Sequence, residues 1–407
     1  MAPPHVFEPA RIEIGNPSGL TPLDIAFGAM LGYAPCEPLP RRRSAVSLDD
    51  VLFDLLEPAL ASGRCLVSFS GGRESAFLLA AATAAARTRG HPDPIPATLR
   101  YPESLAPRVA PHQERIVSHL RLQEWERVEI SDELELLGPL AQRALLEAGL
   151  LFPVTSYILL PLFDAARGGW LLIGGGWTDF FAFWRWARVA DVLAGRRRPS
   201  RQFARQCSLL LLPPPLRRAA LRSRGPRPGL PWLREPIARA AEGLVREREA
   251  DVPFRFDRTL DRQRRHRCYR GINASFEALA AVASARVLLP FRTDEYMSAL
   301  AAAGGGLGLG NRSQTVSAVA GHWLPLELLQ RSDRTAAQTI VFGEATHRFL
   351  QEWSGDGLDA EVVDVEALAE IWGRGEIPWS TTTLLQLAFA HEHLRAAVGV
   401  GKRDEVS

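Results

Sequence analysis

The stretch CLVSFSGGRES, Cys65 to Ser75, constrains the fold more than any other part of the chain. Cys65–Phe69 is a short apolar run, the length of a buried strand and too brief for a buried helix. Ser70, Gly71 and Gly72 then turn the chain. The next segment, ESAFLLAAATAAARTRG, has the composition of a strong helix and ends at Gly90, a residue suited to a left-handed C-cap. A strand handed through two glycines straight into a long helix is the opening half of a β-α-β unit.

The flanking sequence continues that alternation. SLDDVLFDLLEPAL opens with a Ser cap and runs at helical spacing. IPATLRY and EWERVEI read as strands, with PHQERIVSHLRLQ a helix between them. LGPLAQRALLEAG and TSYILLPLFDAARGG read as two further helices, and WLLIGGG as a further strand. Strands and helices in alternation predict an α/β fold with a parallel sheet covered on both faces. Residues 1–47, Pro-rich, read as an N-terminal arm; 48–190 as the α/β core; and 191–407 as a mostly helical C-terminal region with a Gly-rich loop, AAAGGGLGLGNR.

Bulk chemistry removes several function classes. The net charge of +2 makes no demand for a polyanionic partner. The sole lysine is Lys402, so no lysine can act as an acid or electrophile in the body of the chain. The near-exclusive use of arginine over lysine reads as a GC-rich coding bias, so the arginine clusters 196–198, RRAALRSRGPRPG and DRQRRHRCYRG read as solvated helix faces. Cys36, Cys65, Cys207 and Cys268 form no C-x-x-C, which argues against a zinc or redox motif and fits a reducing, cytoplasmic setting. The apolar region 151–175 is broken by Pro153, Pro161, Asp164 and Arg167, so no membrane partner is expected. The aromatics Phe180, Phe181, Phe183, Trp184 and Trp186 read as core packing. In HEH, 391–393, residues i and i+2 of a helix do not share a face, so metal binding is not expected there.

The glycine turn has its own chemistry. At the carboxyl end of a parallel strand, the first amides of the following helix and its dipole favour an anion. Gly71 and Gly72 let the backbone approach a phosphate closely, and Ser70 and Ser75 add hydroxyls. Neither G-x-x-x-x-G-K-[ST] nor G-x-G-x-x-G after a strand is present, and no G-x-S-x-G appears. A tight strand–helix turn with no ligand is the competing reading of S-G-G alone.

S-G-G-x-[DE]-S in this setting resembles the PP-loop of ATP pyrophosphatases. Three later segments follow in the order of the asparagine synthetase family. LLIGGGWTDFFAFWRW resembles its second phosphate-side motif, RVLLPFRTDEYMSALA its Pro-Phe-Leu-Asp segment, and LPLELLQRSDRTA its Leu-Pro…Arg…Lys segment. Together they cover roughly Cys65 to Phe342. The resemblance implies a PP-loop fold that adenylates a carboxylate, a small molecule or a peptide, with ATP and Mg²⁺. An amine or ammonia then attacks and an amide forms. Position 2 is Ala and no glutaminase half is present, so glutamine hydrolysis is not expected. Carried over, Ser70, Gly71, Gly72 and Ser75 would cradle pyrophosphate. Glu74 would hold Mg²⁺, with Asp179 a second candidate ligand. Gly174 and Gly175 would lie against the nucleotide, Phe69 and Leu99 near the adenine, and Arg334 at the acyl-adenylate.

Three departures from the family pattern bear on activity. Glu74 stands where the family has Asp, and the added methylene matters to Mg²⁺, which tolerates little geometric error. Thr178 replaces the metal-binding Asp, and Trp177 a glycine. Arg334 replaces a lysine, a change from a compact ammonium to a planar fork. Losing one preorganised charge contact costs on the order of 10²–10³ in rate. A second reading therefore stands beside the ligase: a degenerate pseudoenzyme that binds a nucleotide or a partner protein. A third, a tRNA-modifying PP-loop enzyme, is disfavoured by the modest net charge and the lack of paired cysteines for sulfur transfer.

Overall fold

The computed structural model describes residues 14–40, 47–101, 109–130, 134–175, 184, 186–222, 230–311, 314–315, 318–319, 321–329 and 341–394. Five parallel strands form one sheet in the order β3-β2-β1-β4-β5. They are β1 Cys65–Ser68, β2 Ile95–Arg100, β3 Glu126–Glu129, β4 Trp170–Leu172 and β5 Arg286–Leu288. The register pairs Leu66 with Ile95 on one side and with Leu171 on the other. β1 is central, and its side chains alternate between two cores. Cys65, Val67 and Phe69 enter one cluster and Leu66 enters the other. A strand buried on both faces has to be apolar throughout, which is why CLVSF carries no alternation.

The helices are α1 Pro22–Phe27, α2 Leu48–Leu60, α3 Arg73–Arg89, α4 Val109–Leu120, α5 Pro139–Glu147 and α6 Leu160–Ala165, followed by a mostly helical C-terminal region. α3 is packed nearly all round, with Ala76 through Ala82 at 1% exposure or less. Its small residues let the helix lie close to the sheet and α2. Glu74 in its first turn and Arg87 and Arg89 in its last suit the helix dipole. Gly90 closes it at φ +73°, as the sequence predicts. Arg89 meets Glu57 of α2 at 2.8 Å, and His91 meets the same carboxylate at 2.7 Å. These two contacts hold Glu57 below the usual carboxylate range.

Two expectations need correction. TSYILLPLFDAARGG is not one helix: Val154–Leu159 is a 3₁₀ turn, and α6 starts at Leu160 with Pro161 in its first turn, where a missing N–H costs nothing. RVLLPF, placed by sequence in the helical region, supplies β5 at the sheet edge. Its short apolar run has no periodicity of its own, and β4 defines it as a strand. The sheet thus draws a strand from beyond residue 190. Residues 14–40 pack on the body, held by arginines of the later helices. Arg267 reaches the carbonyls of Gly19 and Leu31 and pairs with Asp24 at 2.7 Å, and Arg270 donates to Pro35 at 2.6 Å. Among the described residues, no helix is long and apolar enough to cross a membrane.

Candidate functional site

The strand order reverses at β1. The connection β1–α3–β2 runs to one side, and β4 joins the other. In open parallel sheets such a switch leaves a crevice beyond the carboxyl ends of the two strands. Ser70–Gly72 lies at that end of β1, and Gly174 and Gly175 at that end of β4.

Gly71 has φ +72°, the left-handed region that favours glycine. A Cβ there would sit 2.8 Å from Gln113 Cγ. Gln113 comes from α4, is 2% exposed, and donates to the Phe69 carbonyl at 3.4 Å. α4 therefore lies over the loop. Sequence reasoning did not single out Gln113. The signal was available: Gln113, Ile116, Val117 and Leu120 form one buried stripe at helical spacing, so a polar side chain sits on an apolar face.

The loop is ordered by its own hydroxyls. Ser75 Oγ accepts from the Ser70 amide at 3.2 Å and donates to the Gly72 carbonyl at 3.0 Å. Ser70 Oγ accepts from the Gly72 amide at 3.2 Å, and the two hydroxyls lie 3.2 Å apart. Ser70 is exposed and Ser75 buried. Gly72 is the N-cap of α3 and brings no side chain to that end of the helix. First-turn amides have no acceptor inside their own helix, so this end is chemically suited to an anion.

Gly174, two residues past β4, lies against the start of α3. A Cβ on it would lie 2.8 Å from the Glu74 carbonyl oxygen and 3.0 Å from its carbon. Glycine is needed there for a backbone-to-backbone approach. Gly175 is exposed, and among the described residues a Cβ on it would meet the Ile173 side chain at 4.0 Å. Glu74 is half-exposed in the first turn of α3. Asp179, Thr178, Trp177 and Arg334 lie outside the described residues.

The two residues expected near the adenine do not come together. The Phe69 ring is 1% exposed and packs in the cluster with α3, tilted on Trp125 at 6.3 Å. Leu99 packs on the opposite cluster. The Phe69 ring is core, and its carbonyl accepts from Thr98 Oγ1 at 2.8 Å.

Segments far apart in sequence gather around α3. Phe77 stacks on Phe291 of the PFR turn at 5.0 Å with a 3° interplanar angle, and on Trp323 at 5.7 Å. Arg73 Nε donates to the Leu329 carbonyl at 3.1 Å, bringing the LPLELL segment to the first turn of α3. Trp184 and Trp186 are buried, and their indoles donate to the carbonyls of Phe254 and Val252. In HEH, His393 stacks on Phe389 at 4.7 Å.

For a nucleotide, the glycine turn, the first-turn amides of α3 and the exposed Ser70 and Gly175 are chemically suited to a polyphosphate. For Mg²⁺, Glu74 is the described carboxylate at the loop. Mg²⁺ commonly takes one or two carboxylates and completes its shell from substrate phosphates and water, so Glu74 fits as a ligand shared with ATP. No protein-family model and no curated protein matches the chain.

Proposed function

We propose that the chain is an ATP-dependent carbon–nitrogen ligase of the asparagine-synthetase kind. It would activate a carboxylate as an acyl-adenylate, release pyrophosphate, and pass the acyl group to an amine or ammonia. One observation carries the reading: a left-handed glycine loop opens into a long helix at the point where the strand order reverses. The four motif-like segments of the sequence support it, since three of them have described residues that meet α3.

In this reading Gly71, Gly72 and the first turn of α3 hold the pyrophosphate. Ser70 turns its hydroxyl from the Gly72 amide to a phosphate oxygen, and Ser75 keeps the loop closed. Glu74 holds Mg²⁺ with the phosphates, and Asp179 is a further candidate ligand. Gly174 and Gly175 leave the backbone close to the nucleotide, and Arg334 faces the acyl-adenylate. ATP and Mg²⁺ supply the leaving group and its charge neutralisation.

Calorimetry with Mg-ATP, followed by pyrophosphate–ATP exchange with candidate acids, tests the reading. Binding that falls at least tenfold in Glu74→Ala and in Gly71→Ala supports it. Intact Mg-ATP binding with no exchange for any acid would favour the pseudoenzyme reading, motivated by Glu74, Thr178, Trp177 and Arg334. Weak or absent Mg-ATP binding by the folded wild type removes the ligase reading and leaves a degenerate pseudoenzyme that binds a partner protein.

A further inference from the structure

A second surface stands apart from the glycine loop. Between residues 192 and 233 the chain carries ten arginines and no aspartate or glutamate. Arginine-rich coding explains arginine in place of lysine. It does not explain the missing acids, which are otherwise as numerous as the bases, 46 against 48.

The described part of this run is a helical hairpin, Arg201–Leu211 and Pro214–Arg222, joined through Leu212 and Pro213. The first helix buries none of its residues. Leu211 is 83% exposed at the tip and Leu216 is 56% exposed just past the turn. Leucines this exposed, side by side in sequence with exposed Pro213 and Pro215, form an apolar tip. The tip is not a frayed end. Arg217 donates to the carbonyls of Leu209, Leu210 and Leu212, closing the C-terminus of the first helix, and lies over the Trp186 ring at 5.4 Å. Arg218 pairs with Asp251 at 3.0 Å and fixes the second helix to the body.

The rest of the molecule is polarised to match. Asp251 lies at the C-terminal end of helix Glu235–Ala250. At the other end, Arg234 pairs with Asp364 and Leu233 bridges Val363. Sixteen residues of helix span about 24 Å. Segment 344–394, which holds Val363 and Asp364, carries ten acids and two arginines. A net charge of +2 therefore conceals a basic end and an acidic end.

We propose that the hairpin is a docking surface for an anionic lipid bilayer, with the Leu211–Leu216 tip in the headgroup–acyl boundary and the exposed Arg201 and Arg205 on the phosphates. The acidic end turns away from a negative surface. Charge complementarity selects an anionic partner, and the exposed leucines select one with an apolar layer beneath its charge, which a nucleic acid backbone lacks. This is contact with a surface, not a span.

Cosedimentation of the full chain with vesicles tests it. One set is phosphatidylcholine with about a third phosphatidylglycerol, the other phosphatidylcholine alone, both at about 0.1 M salt where surface charge is only partly screened. The protein should pellet with the anionic vesicles alone. Leu211→Glu with Leu216→Glu, and separately Arg201→Glu with Arg205→Glu, should each lower the bound fraction about tenfold or more. Arg348→Glu with Arg374→Glu, the same charge change as the arginine pair but at the acidic end, should bind as wild type. All these side chains are exposed, and circular dichroism of each variant checks folding. Failure to pellet, equal pelleting with neutral vesicles, or full binding by the double-leucine variant overturns the proposal. So does pelleting without vesicles, which would assign the hairpin to a second copy. Binding to a DNA duplex that ignores the leucine changes would overturn it as well.

Discussion

Arg73, the first residue of α3, donates its Nε to the main-chain carbonyl of Leu329, 256 positions away. A helix that starts at the glycine loop is thereby tied to the segment leading toward Arg334. The hydrogen bond is charge-assisted and partly buried, so its removal should cost about 1–2 kcal/mol. Arg73→Met keeps most of the stem and deletes the donor. We expect a lower urea midpoint, with faster amide exchange in Leu326–Leu329 than the global loss of stability accounts for. Uniformly faster exchange would show that the tie is not local.

Gly71 and Gly174 should respond to alanine in different ways. At Gly71 the new methyl meets a side chain, Gln113 Cγ, and φ is +72°. At Gly174 it meets the Glu74 backbone. Overpacking of this size costs about 1–3 kcal/mol, and a positive φ adds about 1 kcal/mol. Truncating the neighbour separates the two. Gln113→Ala should relieve part of the Gly71→Ala penalty in a double-mutant cycle, with coupling of about 1 kcal/mol. Glu74→Ala should give no relief to Gly174→Ala, since the clashing atoms remain. Equal behaviour of the two glycines would contradict the geometry.

The sequence carries the core of this fold for identifiable reasons. CLVSF, the alanine-rich helix and Gly90 each agree with the structure, because local propensity, burial and capping point the same way. β5 was not legible: Arg286–Leu288 is three residues long and becomes a strand through pairing with β4. Gln113 was hidden for a related reason, since its role over Gly71 comes from how α4 docks. Phe69 followed a third route. Its place beside the loop suggested a contact with the adenine, while strand alternation sends its ring into the core with Val67. Position along the chain predicted the loop and could not predict facing.

Cys65 opens β1 at 2% exposure, and burial pushes its thiol up to about 12. The thiolate is the reactive form, so Cys65 should be inert at pH 8 while the half-buried Cys36 and Cys207 react. Iodoacetamide labelling with peptide mapping should modify Cys36 and Cys207 first. Cys65 should label at the rate of global unfolding, which urea should accelerate in step with the loss of secondary structure. Early labelling of Cys65 would mean that β1 opens on its own.

His266 sets an acid limit on stability. Its ring is 3% exposed, packs edge-on to Tyr33 at 5.2 Å, and neither ring nitrogen has a hydrogen-bond partner among the described residues. Burial first, then the positive fields of Arg248, Arg262 and Arg267, push its pKa down to about 4, with Asp24 opposing. An unfolded histidine takes its proton near 6.5. Between those two values the unfolded chain binds more protons than the folded one. This contribution is therefore constant above about pH 6.5 and is lost progressively as pH falls toward 4. Urea unfolding at pH 7.5, 6 and 5 should show that decline, and His266→Phe should flatten it, whatever its effect at pH 7.5. An unchanged pH slope in His266→Phe would place the acid sensitivity in other groups.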